Sequence, residues 1–244
     1  MSSIHPTASA GFSRAADAYE RGRPDYPQAA VDWLARELDL RPGVTVVDLA
    51  AGTGKLTRAR LPTGATVVAV EPVAEMRALI EGAETVDGRA DAMPFPEEWA
   101  DAVTVAQAFH WFANGESVRE IARVLKPSGA LALIWNSRMH DHPLQAEIDE
   151  LTRELAAEVT TLYDDAWRGA IERSGLFGPL VESRFEHEHE LDEQGVVDRV
   201  LSTSYVATAP AERQREIEAR LREVVGGESV RLPYLTMGFV TRKL

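Results

Sequence analysis

The sequence predicts an α/β fold built on a doubly wound, mostly parallel sheet with helices on both faces. Three observations carry this expectation. Short apolar runs alternate with amphipathic stretches from about residue 44 to 135, as strands buried on both faces do. The first run leads into Asp48-Leu49-Ala50-Ala51-Gly52-Thr53-Gly54. A buried parallel strand brings a nucleotide-like ligand to the sheet mouth in this way, because glycine lets the backbone come close. Acids also stand at the ends of the next two runs, at Glu71 and Asp91.

The elements follow in order. A helix is expected from Pro27, with Val31, Leu34 and Leu38 at helical spacing and Pro42-Gly43 as its stop. Strands are expected at 44–49, 66–70, 85–88, 102–106 and 130–135. Helices are expected at 74–81 and 116–125, the second ended by Pro127-Ser128-Gly129. After Asn136 the pattern changes. Leu144, Ile148, Leu151, Leu155 and Leu162 mark one long amphipathic helix, and a short one follows at 167–173. Residues 211–225 form another, stopped by Gly226-Gly227. Late strands at 181–191 and 230–241 read as an antiparallel pair finishing one sheet edge. The whole chain, 1–244, reads as a single domain. An N-terminal arm, 1–27, and helices at about 140–165 and 208–226 are expected to cap the ligand mouth.

Composition narrows the function. Hydrophobic residues make up 45% of the 244 residues, enough for a sizeable core. No run approaches the ~20 apolar residues of a membrane helix. The polar start, residues 1–10, has no signal-peptide core, so a cytoplasmic protein is expected. With no cysteine, thiolate catalysis and Cys-ligated metals are excluded. The net charge of −13 disfavours nucleic acid and leaves a small molecule or a protein as the partner, between which charge does not choose. Oligomeric state is not legible. His187 and His189, between glutamates, read as same-face strand residues and not as a metal site.

The loop alone fits several ligands. A P-loop needs G-x-x-x-x-G-K-[ST], but Leu49 and Leu56 stand where the first glycine and the hydroxyl should be. A dinucleotide fingerprint needs a third glycine where Thr57 stands, and Asp48 would serve a pyrophosphate poorly. S-adenosylmethionine fits better. Asp48 is expected to meet its cationic amino acid end and Glu71 its ribose hydroxyls. Asp91 is expected to meet the adenine amino group, with the Ala92 backbone at the ring edge and Met76 and Phe95 as flanking candidates.

On Asp48–Gly54, Glu71-Pro72, Asp91-Ala92, Gln107-Ala108-Phe109-His110-Trp111-Phe112 and 124–130, in that order, the chain resembles the class I S-adenosylmethionine-dependent methyltransferases, more narrowly the type-11 small-molecule group. The segment from Tyr19 through Arg23-Pro24 to Tyr26-Pro27 is similar to the N-terminal cap of trans-aconitate-methyltransferase-like proteins. The resemblance implies strand order 3-2-1-4-5-7-6 with strand 7 antiparallel. It also implies a cofactor site of Tyr19, Arg23, Asp48, Ala50, Gly52, Gly54, Glu71, Pro72, Met76, Asp91, Ala92 and Gln107. Ala50-Ala51, where many members have a glycine, departs from the pattern, at little cost if the backbone there stays in an allowed region.

The methyl group is expected to emerge beyond the fourth strand. His110 is the candidate general base, with positioning as its other role. Trp111, Phe112, Trp135, Asn136 and Tyr205 are candidates for the acceptor pocket, with Ser204 and Tyr234 as weaker ones. Arg23 is expected to pair with the cofactor carboxylate and Tyr19 to lie near the methyl. The expected activity is in-line methyl transfer to a small molecule. A cofactor-binding sensor or scaffold is the alternative, and a nicotinamide-dependent dehydrogenase a more distant one.

Overall fold

The computed structural model describes residue 20, residues 22–156 and residues 166–244. Seven strands form one sheet in the order β3-β2-β1-β4-β5-β7-β6. They are β1 (Thr45–Leu49), β2 (Thr66–Val70), β3 (Glu84–Val86), β4 (Ala100–Ala106), β5 (Leu125–Arg138), β6 (Val181–Leu191) and β7 (Val230–Arg242). The first five are parallel, and β7 runs antiparallel to both β5 and β6.

Strand alternation divides the core. Val47, Leu49, Val103, Val105, Leu131 and Leu133 face one side, while Val46, Ala102, Ala130, Ala132 and Ile134 face the other. Helix α1 (Gln28–Glu37) covers the second side with Leu34 and Trp33. The Cα of Gly238 lies under the Trp33 ring, where an added Cβ would sit 2.4 Å from a ring carbon. Helix α2 (Lys55–Arg60) follows the glycine loop and buries Leu56, and α3 (Ala74–Arg77) follows β2. Helix α4 (Gly115–Val124) packs Val118 and Ile121 on the first side. Its N-cap Asn114 accepts hydrogen bonds from the amides of Glu116 and Ser117, both at 3.0 Å.

Beyond β5, α5 (Pro143–Ala156) and α6 (Ala166–Ser174) precede β6. Three helices join β6 to β7: α7 (Glu193–Leu201), α8 (Ser204–Ala207) and α9 (Ala211–Val225). They share a third cluster in which Ile148 of α5, Val196, Val197 and Val200 of α7, Ile217 and Leu221 of α9 and Leu232 of β7 are buried together. We call this cluster the cap.

Several boundaries differ from expectation. The helix after β2 is one turn, 74–77 rather than 74–81, and the third strand is 84–86 rather than 85–88. Residues 127–129, expected as a helix stop, belong to β5, whose pairing with β4 shifts register between Ala100 and Ala102. The bulge explains both the positive φ of Ser128 (61°) and Gly129, where an added Cβ would lie 2.9 Å from the Lys126 carbonyl. Helices α2, α7 and α8 were not expected. Residues 157–162 of the long helix expected at 144–162 lie outside the described residues. No helix among the described residues is long and apolar enough to cross a membrane.

The topology places the ligand mouth. From β1 the chain moves outward to β2 and β3 and then returns to β4 on the other side of β1. The loops after β1 and β4 therefore diverge, and a crevice opens at the carboxyl ends of these strands.

Candidate active site

The loop after β1 is built from below. Glu71, at the end of β2 and 5% exposed, accepts from the Gly52 amide (2.8 Å) and the Val73 amide (2.8 Å). Burial pushes its carboxyl above the ordinary value, against the opposing effect of these two hydrogen bonds. The loop residues Ala50, Gly52 and Gly54 all have positive φ, at 55°, 59° and 83°. A Cβ added at Gly52 would meet nothing within 4 Å, so its outer face is open to a ligand.

Ala50 corrects the expectation that an alanine there costs little. Its left-handed backbone costs an L-residue roughly 1–2 kcal/mol. Glycine removes that strain but adds about 0.5–1 kcal/mol of chain entropy. Ala50→Gly is therefore expected to raise the melting temperature by about 2–4 °C per kcal/mol gained. An unchanged or lower value in scanning calorimetry would contradict the strain.

Asp48 is also corrected. Its side chain does not face the crevice. It is fully buried beneath the loop, accepting from Thr57 Oγ1 (2.5 Å) and Thr104 Oγ1 (2.9 Å). Arg60 Nη2 approaches it at 3.0 Å, with both side chains almost wholly buried. No Arg60 nitrogen makes an aligned hydrogen bond, so this is a charge contact. A ligand ammonium cannot take a carboxylate so engaged.

Asp91 is held by a two-pronged contact from Arg89, whose Nε and Nη2 lie 3.0 and 2.6 Å from its oxygens. That contact holds its carboxyl below the usual range. The Ala92 amide donates to the Arg89 carbonyl at 3.1 Å and closes a turn, so it serves the loop and not a ligand edge. Met76 is buried, and Phe95 stacks on Trp99 at 4.4 Å between centroids.

A cavity of about 210 Å³ joins the glycine loop to the cap. Ala50, Gly52 and Thr53 line it on the loop side, and Gln107, His110 and Trp111 on the β4 side. Arg23 lines it from the arm, while Trp135, Asn136 and Arg138 do so from β5. Arg199, Tyr205 and Tyr234 complete it from the cap and β7. Gln107 has positive φ (60°), and its amide donates to the Ile134 carbonyl at 2.9 Å. The arm is pinned from two sides. Asn136 Nδ2 donates to the Pro24 and Asp25 carbonyls (3.3 and 3.2 Å), and Lys55 pairs with Asp25 at 2.9 Å.

A family description reading "Methyltransferase domain" matches residues 47–133. The protein of Mycobacterium tuberculosis named "Uncharacterized methyltransferase Rv3342" is 36% identical over 240 residues, covering 94% of each chain. The chain belongs to the class I S-adenosylmethionine-dependent methyltransferases. A candidate type II methyltransferase of Anaeromyxobacter dehalogenans shares the fold, with TM-score 0.65 and 21% identity over 90% of this chain and 97% of that one. The phosphoethanolamine N-methyltransferase 2 of Haemonchus contortus was solved with phosphomonomethylethanolamine and S-adenosylhomocysteine. It aligns with TM-score 0.58 and 13% identity, covering 95% of this chain and 57% of that one.

This methyltransferase takes S-adenosylmethionine as its cofactor, and the open face of Gly52 above the Glu71-braced loop fits such a ligand. Of the pocket candidates, Trp111, Trp135, Asn136 and Tyr205 reach the cavity. Phe112 does not wall it. Its ring meets Phe109 edge-on at 5.6 Å and packs against the core. Tyr19 lies outside the described residues. His187 and His189 face the Tyr234 ring, at 5.7 and 6.2 Å, while Glu186, Glu188 and Glu190 are exposed. Among the described residues no cluster of three metal-ligating side chains occurs.

Sequence reasoning missed Arg199. It lies on α7, a helix whose signals were present: Asp192 as N-cap, accepting from the Gly195 amide at 2.7 Å, followed by Val196, Val197 and Val200. The methyltransferase buries Arg199 to 2% exposure and points its Nε at the Tyr234 hydroxyl.

Proposed function

We propose that this methyltransferase acts on a small molecule held between the β4 loop and the cap. The observation that carries the reading is the single cavity shared by the cofactor loop and by Trp135, Asn136 and Tyr205. Its modest volume suits a compact acceptor, and the net charge of −13 disfavours a nucleic acid. We assign the chain as a single domain working in the cytoplasm, with the arm and cap helices closing the acceptor side.

The cofactor supplies a methyl carbon already activated by a sulfonium. The Ala50–Gly54 backbone would lie against it, Glu71 would accept from its ribose, Asp91 from its adenine amino group, and Arg23 would pair with its carboxylate. Pro72, Met76 and Gln107 would complete that wall. Asp48 contributes from beneath, by holding the loop. The task of the cavity walls is then alignment at roughly 3–3.5 Å. The test is incubation with methyl-labelled cofactor and a cell extract separated into small-molecule, protein and nucleic-acid fractions. Label is expected in the small-molecule fraction, and label confined to either polymer would refute the assignment.

His110 limits the chemistry. Burial pushes its pKa down to about 4, and its Nδ1 is buried without a hydrogen-bond partner. The ring is neutral at pH 7 and too weakly basic to drive deprotonation of an alcohol. We assign it to positioning. His110→Ala is expected to change KM more than kcat, and the rate between pH 6 and 8 should carry no limb that this substitution removes. A lost limb near 6.5 would restore the general base.

A further inference from the structure

We propose that the acceptor is an organic anion and that Arg199 is the residue that selects it. This rests on the methyltransferase reading of the cavity. The chain carries a net charge of −13, yet Arg23, Lys55, Arg138 and Arg199 all line the cavity, and no aspartate or glutamate is among the described residues lining it. Lys55 and Arg138 are matched by carboxylates outside the cavity lining. Lys55 pairs with Asp25 at 2.9 Å, and Arg138 with Asp149 at 3.4 Å.

Arg199 has none among the described residues. It is 2% exposed, its Nε meets the Tyr234 hydroxyl, and its guanidinium stands 5.7 Å from that ring. Its Nη1 is buried with no hydrogen-bond partner. A guanidinium does not lose its proton, so this is a buried, under-partnered charge, and such a group is costly until an anion meets it. Arg138 and Arg23 stand close enough to add to that cost.

The cofactor cannot balance this wall. Its one carboxylate is accompanied by an ammonium and a sulfonium, so it brings a net positive charge. An amine acceptor would add another. An acceptor with a carboxylate or phosphate group supplies what the wall lacks, and guanidinium takes either group through two parallel hydrogen bonds. The Tyr205 hydroxyl, 3.5 Å from Arg138 Nη2, and the Tyr234 hydroxyl stand beside the same place.

The experiment titrates the full-length protein, saturated with S-adenosylhomocysteine, with malonate, inorganic phosphate and neutral malonamide. Trp111 and Trp135 in the cavity wall provide the fluorescence signal. Saturable binding of malonate or phosphate is expected, and none of malonamide. Tighter malonate assigns a carboxylate acceptor, and tighter phosphate a phosphorylated one. Arg199→Met should weaken the anion by about tenfold or more, with S-adenosylhomocysteine affinity unchanged. Arg138→Gln, at a less buried position, should show the same pattern and stands in if Arg199→Met fails to fold. The proposal falls if neither anion binds, if malonamide binds equally, or if the folded variants keep the anion. It also falls if Arg199→Met loses S-adenosylhomocysteine instead, since Arg199 then holds the cofactor carboxylate. Failure of the wild-type protein to bind S-adenosylhomocysteine at all is a separate result that overturns the cofactor site.

Discussion

Asp48→Ala is expected to lower the unfolding free energy by about 3–5 kcal/mol, the cost of leaving a buried ion without its partner. Arg60 would remain fully buried with its charge contact gone, and Thr57 and Thr104 would lose their common acceptor. The loss should appear as a lower midpoint in urea with an unchanged slope. The double substitution Asp48→Leu with Arg60→Met should recover most of it, because a well-packed apolar pair often replaces a buried ion pair without loss. A single-variant cost below about 1 kcal/mol would mean that Asp48 is not the foundation of the loop. The cofactor should bind the double variant only if the loop keeps its shape, so the pair separates fold from ligand recognition.

Glu71→Ala has the largest expected effect on the cofactor. Its two oxygens hold Gly52 and Val73, and hydrogen bonds to a charged group contribute roughly 1.5–3 kcal/mol each. With Gly52 released, the loop loses its left-handed turn, and S-adenosylhomocysteine affinity should fall by about 10- to 100-fold in calorimetry. Wild-type affinity should also fall in mild acid. Burial raises the Glu71 carboxyl, so protonation sets in at a pH above the ordinary value of 4.5, and a protonated oxygen no longer accepts from an amide. The Glu71→Ala protein should lack that acid limb. If it binds S-adenosylhomocysteine as well as wild type, the bracing role is wrong.

The sheet was legible from the sequence because its strands are apolar on both faces. Val46-Val47, Val67-Val68 and Val103 to Val105 could belong to little else. The late strand pair was legible too, in the alternation of Phe185, His187 and His189 with outward glutamates. Direction of side chains was harder. Asp48 stands at the right place in the chain, but strand pleat turns it toward Arg60 and Thr104, and nothing in a linear motif states which way an acid points. Phe112 went to the core for the same reason. Arg199 was hidden because its significance comes from three elements, α7, β5 and β7, that meet only in space. Its own neighbourhood in the sequence, Val196 to Leu201, looks like ordinary cap packing.

The placement of β7 also governs the order of assembly. It is the last strand in sequence, yet it lies between β5 and β6, pairing Trp135 with Met237 on one side and His187 with Tyr234 on the other. A nascent chain stopped before Val230 therefore exposes one edge of β5 and leaves β6 without its partner, both open to mispairing. The same strand brings Tyr234 to Arg199. Ribosomal synthesis must pass β7 before the cavity lined by Tyr234 and Arg199 can form, so a prematurely released chain should be a chaperone client and not a partial enzyme.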